Sequence, residues 1–236
     1  MDALDTSGQS ILLLSGAGLP AWIWDDVRDR LGASYDTQVA PRPDNGAAGL
    51  RDYAEAAIGS VSAERVTIVA HSAGGVVGAE VARLNPERVS GFLAVSAVVP
   101  PPGGSFVTAM PVPNRWILSV AMRFAGTRPP DSAIRKTLAH GLDGEIVDRL
   151  IADFTPESQG FYRDRISTRP WNGWRGYATT TGDRELRPAL QQRFAGRLDV
   201  SWRRELATGH LPMLEDPETL GEIITSFVES QPGSSD

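Results

Sequence analysis

The chain contains no cysteine, which removes disulfides, thiol nucleophiles and thiolate metal sites together. Histidine is scarce, at three residues, so a reaction that needs an imidazole has only His71, His140 and His210 to draw on. The N-terminus lacks both a basic segment and a long hydrophobic run. Its apolar stretch spans only Ile11 to Leu14, too short for a signal or a membrane span, so a cytoplasmic location and no membrane partner are expected. Positive charge is also in deficit, 23 basic residues against 29 acidic ones for a net charge of −6, which argues against a nucleic-acid partner. Internal repeats and low-complexity segments are absent as well.

What is present is alternation. At 236 residues the chain suits one domain with a large core, and short apolar, β-branched runs bounded by turn residues alternate with amphipathic stretches. That pattern predicts βαβ units and a mainly parallel, six-stranded sheet, with strands at 9–15, 35–40, 65–70, 91–98, 175–181 and 200–206. Helices are predicted at 22–31, 49–61, 72–84, 188–194 and 216–229. The last of these opens with an Asp cap and a Pro in its first turn. Between the fourth and fifth strands about seventy residues show no strand character, far more than a simple connection needs. Helical spacing recurs there at 114–125, 132–140, 145–154 and 157–166, so 101–169 is expected to be a helical lid on a core of 1–100 and 170–236.

The strand V-T-I-V-A runs into H-S-A-G-G and then into a helical stretch, which puts Ser72 on a sharp strand-to-helix turn. A hydroxyl there projects above the sheet, and the following amide, that of Ala73, points at the place where an oxyanion would form. The pattern is G-x-S-x-G with Ala70 in place of the first glycine. On the motif alone, a serine capping a helix is an equal alternative. A nucleophilic serine also needs a base and an orienting acid. His71 must point away from the Ser72 side chain and is read as packing on the sheet, and His140 as a solvated residue at a helix end. His210 remains, on the loop between the last strand and the last helix, where a carboxyl-edge loop can reach Ser72. Asp183 follows the fifth strand directly and is the expected acid, since Glu185 lies further out and Asp199 sits at the amino end of its strand. The loop after the first strand, S-G-A-G-L-P, offers the Ala17 amide as second oxyanion donor, and it carries no nucleotide-binding pattern.

Taken together, the chain resembles the α/β-hydrolase superfamily, and within it the small lidded group that holds plant methyl esterases and hydroxynitrile lyases. The likeness rests on S-G-A-G-L-P-A-W-I-W, A-H-S-A-G-G, T-T-G-D-R-E-L-R-P-A-L-Q-Q and G-H-L-P-M-L-E-D-P-E-T-L and spans nearly the whole chain. It implies Ser72, Asp183 and His210 as a catalytic triad with Ala17 and Ala73 as oxyanion donors. Two positions depart from the family: Ser15 replaces its usual histidine, and Ala70 its elbow glycine. The group's lyases carry a lysine after the catalytic histidine, where this chain has Leu211.

The expected activity is therefore cofactor-free cleavage of a carboxylic ester, or a related thioester or lactone, through an acyl-enzyme. The substrate is expected to be a small hydrophobic molecule touching Gly18, Leu19, Met110, Trp116, Phe124 and Leu211. Acyl transfer to another acceptor and a low-turnover ligand-binding role are the alternatives. A homodimer is left open.

Overall fold

The computed structural model describes residues 9–43 and 46–232. Its six strands are β1 (Ser10–Leu14), β2 (Asp36–Val39), β3 (Val66–His71), β4 (Val89–Val95), β5 (Trp174–Thr180) and β6 (Trp202–Leu206). They form one sheet in the order β2-β1-β3-β4-β5-β6, and every neighbouring pair is parallel. Both faces of such a sheet are covered, which is why β1 and β3 read as unbroken runs of buried residues rather than alternating ones. Leu12, Leu14, Ile68 and Ala70 face the layer of α2 (Leu50–Gly59), α3 (Gly74–Leu84) and α9 (Pro188–Leu198). Ile11, Leu13, Val69 and Val95 face the layer of α1 (Asp25–Leu31) and α11 (Pro217–Glu229). Each fully buried Leu, Ile or Val in these layers contributes on the order of 1.5–3 kcal/mol relative to an exposed one.

Several boundaries differ from the sequence reading by a few residues, and two of the differences have a plain physical reason. The fourth strand was expected to run to residue 98 but ends at Val95, because Ser96 turns the chain with φ 42°. Ala97, Val98 and Val99 stay buried without pairing, and burial looks the same in the sequence either way. The helix expected from residue 72 starts at Gly74, since Ser72 has φ 51°.

Between β4 and β5 lie α4 (Phe106–Ala109), α5 (Asn114–Ala125), α6 (Asp131–Ala133, continuing as a π-helical turn at Ile134–Leu138), α7 (Gly144–Asp153) and α8 (Gln159–Arg163). α7 is capped by Asp143 and α8 by Ser158, each side chain accepting a backbone N–H of the first turn. The short α10 (Pro212–Glu215) precedes α11. Among the described residues no helix is long and apolar enough to cross a membrane.

One buried carboxylate joins the insertion to the core. Glu157, 5 % exposed, accepts from Gly18 N–H at 3.0 Å, Arg42 Nε at 2.8 Å and the Tyr53 hydroxyl at 2.8 Å. Phe154 lies over Gly18, and Thr155 N–H donates to the Gly18 carbonyl. Removing Glu157 leaves the buried Gly18 N–H and Tyr53 hydroxyl without their acceptor and takes the ionic partner from the partly exposed Arg42, a cost of about 1–3 kcal/mol for each unsatisfied buried group. Glu157→Ala should therefore lower unfolding stability by about 3 kcal/mol in urea denaturation; a loss below about 1 kcal/mol would mean that the insertion is held by its apolar contacts instead.

Candidate active site

At the carboxyl edge of the sheet, between β3 and α3, Ser72 takes a left-handed φ of 51°, which for a residue other than glycine costs of order 1–3 kcal/mol. Its surroundings hold it there. Ser72 N–H donates to Val95 carbonyl at 3.3 Å, and its own carbonyl accepts from Gly75 N–H at 3.1 Å and Val98 N–H at 2.9 Å. The room comes from missing side chains: a Cβ at Gly16 would lie 2.9 Å from Ser72 Cβ, one at Gly74 2.6 Å from the Leu14 and Ser15 carbonyls, and one at Gly75 2.6 Å from the Val98 carbonyl. Ala70 is fully buried between Leu14 and Ala94 in the sheet register, so the departure from glycine there fits. Ser15 accepts from Trp24 Nε1 at 3.0 Å.

The loop after β6 brings His210 over this turn. Its ring, 1 % exposed, places Nε2 2.9 Å from Ser72 Oγ and Nδ1 2.7 Å from Asp183 Oδ2. A carboxylate can only accept, so Nδ1 carries the proton and Nε2 presents its lone pair to the Ser72 hydroxyl. Asp183 sits just after β5 and accepts at Oδ1 from the Glu185 and Leu186 N–H groups, and at Oδ2 also from Ser96 Oγ at 2.5 Å and Thr180 Oγ1 at 3.0 Å. Burial by itself raises the Asp183 pKa, but the bonds from His210, Ser96 and Leu186 outweigh it and hold the carboxyl at about 2. The rival acids lie elsewhere: Glu185 accepts from Thr137, and Asp199 ends α9.

Ser96 is a buried serine near the same histidine, yet it is on the other side of the ring. Its hydroxyl proton is committed to Asp183, and its oxygen is 3.4 Å from Nδ1, the nitrogen that already carries a proton. Of the two serines, Ser72 is the one that faces Nε2. Sequence reasoning did not single out Ser96, Thr180 or Gln191. The last is a fully buried α9 side chain that accepts from Thr180 N–H and donates to the Thr180 and Leu186 carbonyls, tying the Asp183 loop to the sheet. Ser96's place at the carboxyl end of β4 was the available signal.

His71 does more than pack on the sheet. Its Nε2 lies 2.7 Å from the His210 carbonyl and so must be the donor, while Nδ1 is buried with no partner. The two imidazoles are tilted against each other with centroids 4.8 Å apart. His140 lies half-buried in a turn of the insertion.

The remaining expected residues divide. Among the described residues, neither the Ala17 nor the Ala73 N–H donates to a protein acceptor; Ala73 immediately precedes α3, and Ala17 follows Gly16. Leu19 lines a cavity of about 190 Å³ whose wall also includes Ser15, Gly16 and Gly74, although Ser72 and His210 do not face it. Gly18, Met110, Trp116, Phe124 and Leu211 are not in that wall. Gly18 is covered by Phe154 and its amide is taken by Glu157, while Leu211 is fully buried in the core. Trp116 and Phe124 are 63 % and 81 % exposed, because α5 turns Leu118 and Met122 inward and the residues about half a turn away face solvent. Met110 packs against the core.

Burial, followed by the neighbouring His210, pulls the His71 pKa from 6.5 down to about 3. The unfolded chain then binds a proton that the folded protein refuses, so this contribution to stability is complete above about pH 6.5 and is lost as pH falls toward about 3. His71→Gln removes the titrating ring. Between about pH 6.5 and 4.5 its urea-unfolding stability should fall less steeply than the wild type's, by up to about 1.4 kcal/mol per pH unit. Parallel slopes would show that His71 is not held neutral.

The fold around this site is shared with solved structures. An extracellular alpha/beta-hydrolase from a Paenibacillus species, described as sharing structural and functional homology with tobacco salicylic acid binding protein 2, superposes with a TM-score of 0.82 at 15 % identity, over 92 % of this chain and 98 % of that one. Polyneuridine aldehyde esterase gives 0.76 at 19 % identity over 93 % and 99 % of the two chains. Tomato methylketone synthase I gives 0.74 at 14 % over 95 % and 99 %. Among curated proteins none matches the sequence. The sequence pattern of the alpha/beta hydrolase family matches residues 11–223, and the chain belongs to that family.

Proposed function

We propose that this protein is a serine hydrolase of carboxylic esters, with Ser72 as nucleophile, His210 as general base and Asp183 as the acid that orients it. The observation that carries the reading is the unbroken path from Asp183 Oδ2 through the His210 ring to Ser72 Oγ, at 2.7 and 2.9 Å. Ser72 Oγ attacks the ester carbonyl while His210 Nε2 takes its proton, giving a tetrahedral oxyanion. The unpaired N–H groups of Ala17 and Ala73 receive that oxyanion, a contribution of roughly 3 kcal/mol per donor in well-studied cases. Collapse expels the alcohol, protonated by His210, and leaves the acyl group on Ser72. A water deprotonated by His210 then attacks the acyl carbon, releasing the acid and restoring the serine. Asp183, held ionised, stabilises the imidazolium formed in each half.

An ionised carboxylate beside the ring and a hydroxyl at Nε2 suit acyl transfer. Leu211, where a cation would be needed to meet a departing cyanide, gives no such help. The polyneuridine aldehyde esterase likeness agrees with ester cleavage. The insertion between β4 and β5 is proposed as the lid, since Glu157 and Phe161 on it form part of the cavity wall with the apolar Leu14, Leu19, Val39 and Val77.

A fluorophosphonate probe should label the wild type, fail on Ser72→Ala and still label Ser96→Ala, with p-nitrophenyl butyrate turnover in Ser72→Ala falling by at least about four orders of magnitude. Labelling that survives in Ser72→Ala but vanishes in Ser96→Ala would move the nucleophile to Ser96 and overturn the assignment.

A further inference from the structure

The cavity beside the elbow has polar groups in its wall that the proposed chemistry does not use. It lies between the carboxyl ends of β1 and β2, and its wall includes Arg42, Tyr53 and Glu157 as well as apolar groups. Arg42 is held at two of its three nitrogens: Nε donates to Glu157 Oε1 at 2.8 Å and Nη2 to the Leu19 carbonyl at 2.7 Å. Nη1 has no acceptor among the described residues. Tyr53 is spent, since its hydroxyl donates to Glu157 Oε2 and accepts from Ser158 N–H. A guanidinium is planar, so fixing two nitrogens also fixes the direction of the third. Arg42, a wall residue whose side chain is 30 % exposed, therefore holds Nη1 in a fixed direction without an acceptor, its charge already offset by Glu157.

The position of the cavity says which half of an ester enters it. Gly16 and Gly74 line it, and they adjoin Ala17 and Ala73, whose amides are proposed to hold the carbonyl oxygen. Ser72 and His210 are both outside the wall; the leaving alcohol must lie against His210 Nε2, which protonates it, whereas the acyl carbonyl lies on the side of Gly16 and Gly74. The acyl chain is the part directed into the cavity. At about 190 Å³ the space has room for a short acyl chain.

From these observations, and resting on the esterase reading above, we infer that the preferred acyl group is short and carries a neutral oxygen acceptor, an ether or ketone, near its far end, and that Arg42 Nη1 donates to it. An all-carbon chain of the same length leaves that donor desolvated and unpaired. A carboxylate in the same place brings a second negative charge beside Glu157.

The test compares p-nitrophenyl esters in isosteric pairs: 3-methoxypropanoate with pentanoate, 4-methoxybutanoate with hexanoate, and 5-methoxypentanoate with heptanoate. In one pair at least, the ether should show kcat/KM about tenfold or more above its hydrocarbon partner. The p-nitrophenyl half-ester of glutaric acid should fall below that ether. In Arg42→Lys, which keeps a cation for Glu157 but loses the fork, the ratio within the pair should drop below about twofold; because the result is a ratio, a general loss of activity does not affect it. Equal rates within every pair would overturn the inference and leave the esterase reading intact, as would a preference for the glutarate half-ester or a ratio unchanged in Arg42→Lys. No turnover of any ester would overturn both.

Discussion

At Ser72 the main chain leaves β3 with a φ of 51°, and the other features of the site depend on that bend being held. The strain is offset locally. Gly16, Gly74 and Gly75 leave space where any side chain would collide with the serine or with the Leu14, Ser15 and Val98 carbonyls. The turn after β4 supplies a donor, Val98 N–H, to the Ser72 carbonyl, and Tyr177 holds the same turn through the Ala97 carbonyl. The bend falls at the start of α3, which Ala73 immediately precedes, and the loop carrying Ala17 packs against it through Gly16. One backbone conformation thereby places the hydroxyl at His210 Nε2 and fixes how closely the loop bearing Gly16 can approach.

The second layer of order is electrostatic. Asp183 is removed from water and surrounded by donors from β4, β5, its own loop and the β6 loop, so its charge is stabilised without solvent. His210 is held from two directions, by Asp183 at Nδ1 and by His71 at its backbone carbonyl, which restricts both the ring and the chain that carries it. Farther out, Glu157 fastens the insertion to the loops after β1 and β2. The same ionic group that anchors the insertion also orients Arg42 in the wall of the cavity.

The strands, the elbow and the order of Ser72, Asp183 and His210 could be read from the sequence because each has a local signature: a continuous apolar run in a covered parallel sheet, small residues around a serine, and loops at carboxyl ends. Ser96, His71 and Gln191 could not, because their roles are hydrogen bonds to residues distant in the chain or on another element. The apolar spacing of α5 correctly marked a helix, yet spacing cannot say which of two apolar faces turns inward, and Trp116 and Phe124 face water. Gly18 is expected from the sequence to touch the substrate, whereas in the structure Phe154, from far along the chain, fills the place a side chain there would take. Leu19, next to it, does line the cavity.

The central claim is that a covalent acyl group resides on Ser72 during turnover. Acid quenching in the steady state with p-nitrophenyl acetate, followed by proteolysis and mass spectrometry, tests it directly. The account predicts an acetyl group on the peptide containing Ser72, enriched in the wild type at short times and absent from Ser72→Ala. Full turnover with the acetyl group on another residue, or with no covalent species at any quench time, would contradict it.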